Sequence, residues 1–218
     1  MFIRVTLSLL SGFYVTFKLF FLTLLFSLPL GLIIAFAVKS RFKILSAFSQ
    51  ILILIMRGTP LMLQLIIIYY GPGIFIKHNI WGSGDGGRFM ASLIAFVINY
   101  ACYFAAIYRG GMESIPKGQY EAGYVMHMNK VQIFVYIIFL QMVKHILPAI
   151  SNEVISLVKD TSLARAVAVY EIIWSGQSFI KSSGIIWPLL YTGIFYLTFN
   201  GILTLLFKKA EEKLAYIQ

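Results

Sequence analysis

The sequence predicts an all-α integral membrane protein of about five transmembrane helices, with a short cytoplasmic helix between the third and the fourth. Three observations carry that expectation. Only 12% of the 218 residues are charged and 60% are hydrophobic, whereas soluble domains carry roughly 25% charged residues. The apolar residues, which give a mean hydropathy of +0.86, gather in uninterrupted runs of the length a membrane crossing needs. The 18 Lys and Arg residues, against 8 Asp and Glu, gather beside the ends of those runs. In a chain this apolar, that arrangement speaks for sorting by the membrane and not for nucleic acid.

The first run, residues 13–38, is too long for the apolar core of a cleaved leader and lacks a small-residue cleavage site after it. Lys39, Arg41 and Lys43 follow it and are expected inside, which puts the N-terminus outside and lets Lys18 snorkel outward. The second run, residues 51–70, is interrupted by Arg57-Gly58-Thr59-Pro60, where proline removes a backbone donor and glycine loosens the helix. Residues 71–87 hold Pro72, Asn79 and Gly82-Ser83-Gly84-Asp85-Gly86-Gly87, turn chemistry that reads as an outer loop. The chain re-enters over residues 89–108, and Arg109 marks its inner end.

Residues 131–143 are apolar but stop at Lys144-His145, and this short run is expected along the inner interface. The span over residues 146–169 carries Asn152, Glu153, Lys159, Asp160 and Arg165, with Lys159 and Asp160 near its middle. Residues 175–184 read as an outer loop, and residues 186–207 return inward to Lys208, Lys209 and Lys213. Arg4, Lys77, Arg88, Arg165 and Lys181 fall outside, while Arg109, Lys117, Lys130 and Lys144 fall inside with the clusters already named. The expectation is a multi-pass protein of the cell membrane, N-terminus outside and C-terminus cytoplasmic, forming one transmembrane domain over residues 1–218. That length leaves no room for a fused ATPase, so an energy source or soluble receptor is expected on another chain. Cys102 stands alone, which excludes a disulfide framework within the chain.

The polar stretch 110–131 is longer than a connection between neighbouring spans requires. Ser114 and Pro116 suit a first helical turn, and Tyr120, Tyr124, Met128 and Val131 recur at helical spacing. This is a short amphipathic helix, lying on the lipid surface or docking a cytoplasmic partner.

A carboxylate in mid-span costs roughly 2.5–3.5 kcal/mol on insertion scales, so Asp160 requires a partner or a water-filled cavity. Lys159 points about 100° away from it on a helix and is not its natural partner. One reading is a salt bridge to another helix, or a register that places both residues near an interface. The other is a polar pocket lined by Asp160, Thr161 and Ser162, with Asn99 across from them and Asn152 and Glu153 closer to the cytoplasmic face. Those residue types offer acceptors for an ammonium group and donors for a carboxylate. For Arg57 the choice lies between holding a substrate carboxylate, locking the broken helix, and the favoured reading of capping carbonyls freed by the break or sitting at the interface. The three histidines are scattered over different loops, so no metal site is expected. The P-loop pattern G-x-x-x-x-G-K-[ST] does not occur.

Arg109-Gly110-Gly111, Gly118-Gln119, Glu121-Ala122-Gly123, Leu147-Pro148 and Lys159-Asp160-Thr161-Ser162-Leu163, in that order, resemble the membrane permease subunit of type I ABC importers. Arg57-Gly58-Thr59-Pro60-Leu61 followed by Gln64 resembles, more narrowly, the polar amino acid uptake permeases. The resemblance covers residues 57–171 and implies the permease fold, a cytoplasmic coupling segment at Gly118, Glu121, Ala122, Gly123 and His127, and no catalytic residue in this chain. It further implies separate ATPase subunits that bind ATP and Mg, a second permease subunit that is identical or related, and an extracytoplasmic amino acid binding protein. The sequence departs from that pattern at Gly123 (usually alanine), His127 (usually glycine), Ala106 (usually glutamate) and Leu140 (usually proline). A glycine at position 127 would turn between short helices more easily than histidine does. The competing expectations are a stand-alone secondary transporter or channel with Asp160 as its ion site, and a structural membrane protein whose polar residues only hold helices together.

Overall fold

The computed structural model describes residues 1–82 and 84–215, so Ser83 of the glycine run lies outside the described residues. Helix α1, Phe2–Val38, is 37 residues long, about 55 Å at the usual rise and longer than the hydrocarbon core is thick. It begins eleven residues before the apolar run in the sequence, because Val5 and Leu9 are buried against Ile172 although Arg4, Ser8 and Ser11 dilute the pattern there. Its buried stripe includes Gly12, Thr16, Thr23, Ser27, Gly31 and Ala35, the small residues that let membrane helices approach closely. At Gly31 an added Cβ would lie 2.8 Å from the Cβ of Phe104 and 2.9 Å from the carbonyl oxygen of Ala101.

Those two residues belong to α4, Asp85–Ser114, and α1 with α4 forms the most extensive helix pair of the bundle. The Lys18 ammonium lies over the ring of Phe89, 5.0 Å from its centroid, while Ala35 shares a core with Ala105. Contacts that advance together along both helices mean that α1 and α4 run parallel. Between them the chain must therefore cross back once. It does so through α2, Lys43–Gly58, and α3, Leu61–Phe75, between which the chain bends by 108°. The broken pair thus counts as one crossing, and the predicted interruption is a sharp bend between two separate helices.

After α4 come α5, Lys117–Val125, and a helical segment from Lys130 to Val167. The latter opens with α6, Lys130–Gln132, passes a π-helical turn at Ile133–Ile138, continues as α7, Phe139–Asp160, and tightens to 3-10 geometry over Thr161–Val167. Asn129 accepts hydrogen bonds from the backbone N–H groups of Val131 and Gln132 and caps its start. The expected division into an interfacial piece and a later span is corrected here: the structure makes one helical segment. Lys144 and His145 end an apolar run when read linearly, but on the helix both fall on its exposed side, with Met142 and Ile146 buried beside them. Met142 and Ile146 pack at Gly111 of α4 while Asp160 reaches Tyr100, so α7 runs antiparallel to α4.

Residues 175–184 are expected to be an outer loop, but 175–183 belong to α8, Ile172–Ser183, and Gly184 caps it. The Glu171 carboxylate, fully buried, accepts from the N–H groups of Ile173 and Trp174 at 2.8 Å each, and Gly184 closes the helix with φ +67. A run of Ser, Gly, Gln and Lys looks like turn chemistry, but the cap and the buried Ile172, Ser175 and Gly176 make it a helix. Helix α9, Trp187–Ala215, packs Phe199 against Phe13 and Phe20 of α1 at ring separations of 5.7 and 5.1 Å.

Among the described residues five candidate crossings follow: α1, the α2–α3 pair, α4, α7 and α9. Helix α8 lies at the end of the bundle where α1 begins, against Gly12. Helix α5 lies at the other end.

Replacing Gly31 with leucine must push the Ala101 carbonyl and Phe104 away, at a cost of about 1–3 kcal/mol. The melting temperature in detergent should fall markedly, whereas Gly110→Ala, whose methyl group meets free space in the interior of a helix, should not lower it.

Candidate functional site

The α2–α3 break frees backbone carbonyls inside the bundle, and side chains of two helices satisfy them. The Gln64 amide donates to the carbonyls of Met56 and Thr59 at 3.0 and 3.1 Å. The Asn99 amide of α4 donates to the same Met56 carbonyl at 3.1 Å and to the Gln64 side-chain oxygen at 2.9 Å. Thr59 closes the end of α2 by donating its hydroxyl to Ile55 at 2.8 Å. Buried polar groups are tolerated when each finds such a partner.

This clamp forms one wall of a cavity of about 580 Å³. Arg57, Gly58, Thr59 and Pro60 come from the break, Tyr100 and Tyr103 from α4, and Glu153, Ser156 and Asp160 from α7. The last three recur at i, i+3 and i+7 and so share one helix face. The Tyr100 hydroxyl donates to Asp160 Oδ2 at 2.7 Å, and the Arg57 guanidinium lies over the Tyr103 ring, 5.2 Å from its centroid. Two carboxylates against one guanidinium make the cavity acidic. Asp160, the last residue of α7, stands level with the middle of α4, where its partner Tyr100 sits.

The structure brings Asn99, Glu153 and Asp160 to this cavity but commits the Asn99 amide to the break. Asn152 is exposed and does not line it. Thr161 is fully buried with its hydroxyl donated to the Val158 carbonyl at 2.6 Å, and Ser162 donates to the Lys159 carbonyl at 2.8 Å. Neither lines the cavity, because the chain tightens to 3-10 geometry directly after Asp160. Among the described residues the carbonyls of Met56 and Thr59 are capped by Gln64 and Asn99 and not by Arg57. The sequence alone does not single out Tyr100, Tyr103 and Ser156, because tyrosines count among the hydrophobic residues of an apolar run and one serine does not interrupt it. The spacing of Asn99 and Tyr103, one turn apart on α4, was the available signal.

At the other end of the molecule α5 stands beyond the bundle. Ile115, Ile133 and Ile138 form a small core beneath it, with Tyr120 and Met128 packed against them. Burial raises the Tyr120 phenol pKa, keeping it neutral as a donor to the Met112 carbonyl at 3.1 Å. The buried side is therefore Tyr120, Gly123 and Met128; Tyr124 and Val131 of the expected stripe are exposed. Gly123 comes so close to Ile133 that an added Cβ would sit 2.6 Å from its Cγ1, which accounts for glycine where the resemblance puts alanine. Gly118, Glu121 and Ala122 face outward, and Val125 and Met126 are 77% and 74% exposed.

His127 ends α5 in the left-handed conformation, φ +57. Its N–H donates to Tyr124 and the Met128 N–H to Gly123, both at 3.0 Å, the bond pattern of a Schellman cap with histidine where glycine is usual. The expectation that histidine turns less easily than glycine is answered by the two hydrogen bonds and the Gly123–Ile133 contact, which together hold the turn.

A bundle of membrane-length helices around a charged cavity, with a helix standing clear of one end, fits a membrane transport component, and the comparison with known proteins gives that class. The sequence profile of the binding-protein-dependent transport system inner membrane component family matches residues 27–216, and the chain belongs to that family. It is 35% identical over 211 residues to the octopine transport system permease protein OccM of Rhizobium radiobacter, covering 94% of this chain and 84% of the relative. It is 36% identical over 167 residues to the L-cystine transport system permease protein TcyB of Bacillus subtilis (strain 168), covering 77% of this chain and 68% of the relative. Among solved structures, one of an amino acid ABC transporter with histidines superposes with a TM-score of 0.86 at 27% identity, over 97% of this chain and 96% of that one. The fold is that of the type I ABC importer permeases.

A left-handed non-glycine residue costs about 1–2 kcal/mol. His127→Gly should therefore raise the melting temperature, and His127→Val, branched at Cβ, should lower it.

Proposed function

We propose that the chain is the permease subunit of an ATP-binding cassette importer that carries a polar amino acid, basic ones above all, across the cell membrane. The observation that carries this reading is the acidic cavity at mid-bundle. Asp160 and Glu153 offer acceptors to an ammonium or guanidinium group, Ser156 offers a hydroxyl, and Arg57 offers a guanidinium to the carboxylate. One net negative charge suits a substrate with one net positive charge. The names of the octopine, cystine and amino acid transport relatives support the same class.

The protein works as half of a dimeric pathway, with an identical or related second subunit covering the polar surface. The α5 end faces the cytoplasm, since the basic clusters at residues 39–43, 109–130 and 208–213 gather there. The N-terminus is then outside, the C-terminus inside, and residues 1–218 act as one permease domain. Gly118, Glu121, Ala122, Gly123 and His127 form the coupling segment, whose exposed Val125 and Met126 suit burial against a partner. That partner is a separate ATPase subunit, which binds ATP and Mg. Its closure on ATP moves α5 as a lever and turns the pathway outward, where a binding protein delivers the amino acid; hydrolysis resets it.

Proteoliposomes holding the permease with its ATPase and binding protein test this directly. ATP hydrolysis should rise with basic amino acids in the panel, Glu121→Lys should abolish the response, and Asp160→Asn should weaken it at least tenfold. Flux that persists without ATP and without the ATPase subunit would overturn the reading.

A further inference from the structure

A second cavity, of about 670 Å³, lies on the α5 side of the break. Gln50, Leu54 and Arg57 of α2 line it at i, i+4 and i+7, facing Tyr103 and Arg109 of α4. It shares Arg57, Gly58 and Tyr103 with the acidic cavity, so the Arg57–Tyr103 stack lies on the boundary the two have in common.

The two chambers have opposite charge. The lining residues of the second include two guanidiniums and no carboxylate. Arg109 pairs with Glu113 only at 3.9 Å, on an exposed surface outside the lining, a weak pair of the kind that contributes little. The Arg57 guanidinium makes its contact with an aromatic face and no salt bridge among the described residues. Planar guanidiniums with unused donors are built to take a carboxylate in paired hydrogen bonds.

We propose that this second chamber is a carboxylate-binding station, in which Arg57 and Arg109 hold the α-carboxylate of the transported amino acid after its cationic end leaves Asp160 and Glu153. The proposal rests on the permease reading above and adds a separate site to it. Arg57 lines both chambers and hands the carboxylate from one to the other, while Arg109 lines the second alone. The charge sequence, acidic and then basic, lets the first chamber hold a substrate by its cationic end and the second hold one by its carboxylate.

Equilibrium binding to the purified permease–ATPase complex in nanodiscs separates the two sites, with L-arginine, its decarboxylated form agmatine and inorganic phosphate as probes. Agmatine keeps the cationic groups and lacks the carboxylate. Wild type should bind two arginines per permease chain and one agmatine. Arg109→Gln should weaken one arginine site at least tenfold and leave agmatine binding intact, which also shows that the variant is folded. Asp160→Asn should lose agmatine and keep the Arg109-dependent arginine.

A single arginine per chain, unaffected by Arg109→Gln but lost in Asp160→Asn, would overturn the second station and leave the permease reading standing. Phosphate that displaces the Arg109-dependent arginine more strongly than arginine itself binds would make the chamber a general anion site and overturn the assignment to substrate. Binding of neither probe by wild type would overturn the basic amino acid reading and this proposal with it.

Discussion

The bend between α2 and α3 is the constraint on which the rest of the structure depends. A proline and a glycine interrupt the second crossing, and every carbonyl freed inside a membrane must find a donor. Gln64 and Asn99 supply those donors from two different helices, so the bend is fixed to α4 as firmly as to its own chain. Because α1 and α4 run parallel, the bent pair has to complete one crossing, and its 108° bend opens space beside Tyr100 and Asp160. A straight helix there would bring a continuous backbone cylinder where the cavity now lies.

The charged residues make sense only against that space. Glu153, Ser156 and Asp160 all fall on the side of α7 that faces the opening, while Thr161, one residue on, turns into the protein and is fully buried. Intramembrane ionisable groups are costly and need partners or water. Tyr100 partners Asp160, Arg57 lies within the same walls, and the remaining acceptors face the opening. The α5 end obeys a different logic: its glycine and its left-handed histidine place a compact turn on a small apolar base, leaving one face of the helix bare.

Much of this could be read from the residues alone. Proline at position 60 lacks a donor wherever it sits, so the break was visible, and Asp160 in an apolar run demanded a partner whatever the fold. What could not be read depends on the third dimension. Lys144 and His145 looked like a terminus because a linear scan cannot see that both fall on one side of a helix. Helix α8 looked like a loop because its polar residues are balanced by a buried cap, Glu171, whose two hydrogen bonds are local but whose burial against α1 is not. Tyr100 and Tyr103 were invisible for the opposite reason: a tyrosine counts among the hydrophobic residues of a span whether its ring faces lipid or a cavity. Asn99 was noticed, but its amide serves the break, and only the position of Gln64 reveals that.

The most direct test of the account is a double-mutant cycle between Gln64→Leu and Asn99→Leu, read in both melting temperature and L-arginine affinity. If the two amides act as one clamp that holds the bend and shapes the acidic cavity, each single change should cost nearly as much as the pair. The coupling should reach about 1 kcal/mol or more, and arginine affinity should fall in step with stability. Strictly additive losses, or full arginine affinity in the double variant, would show that the bend does not depend on the clamp and that the cavity is held open by something else.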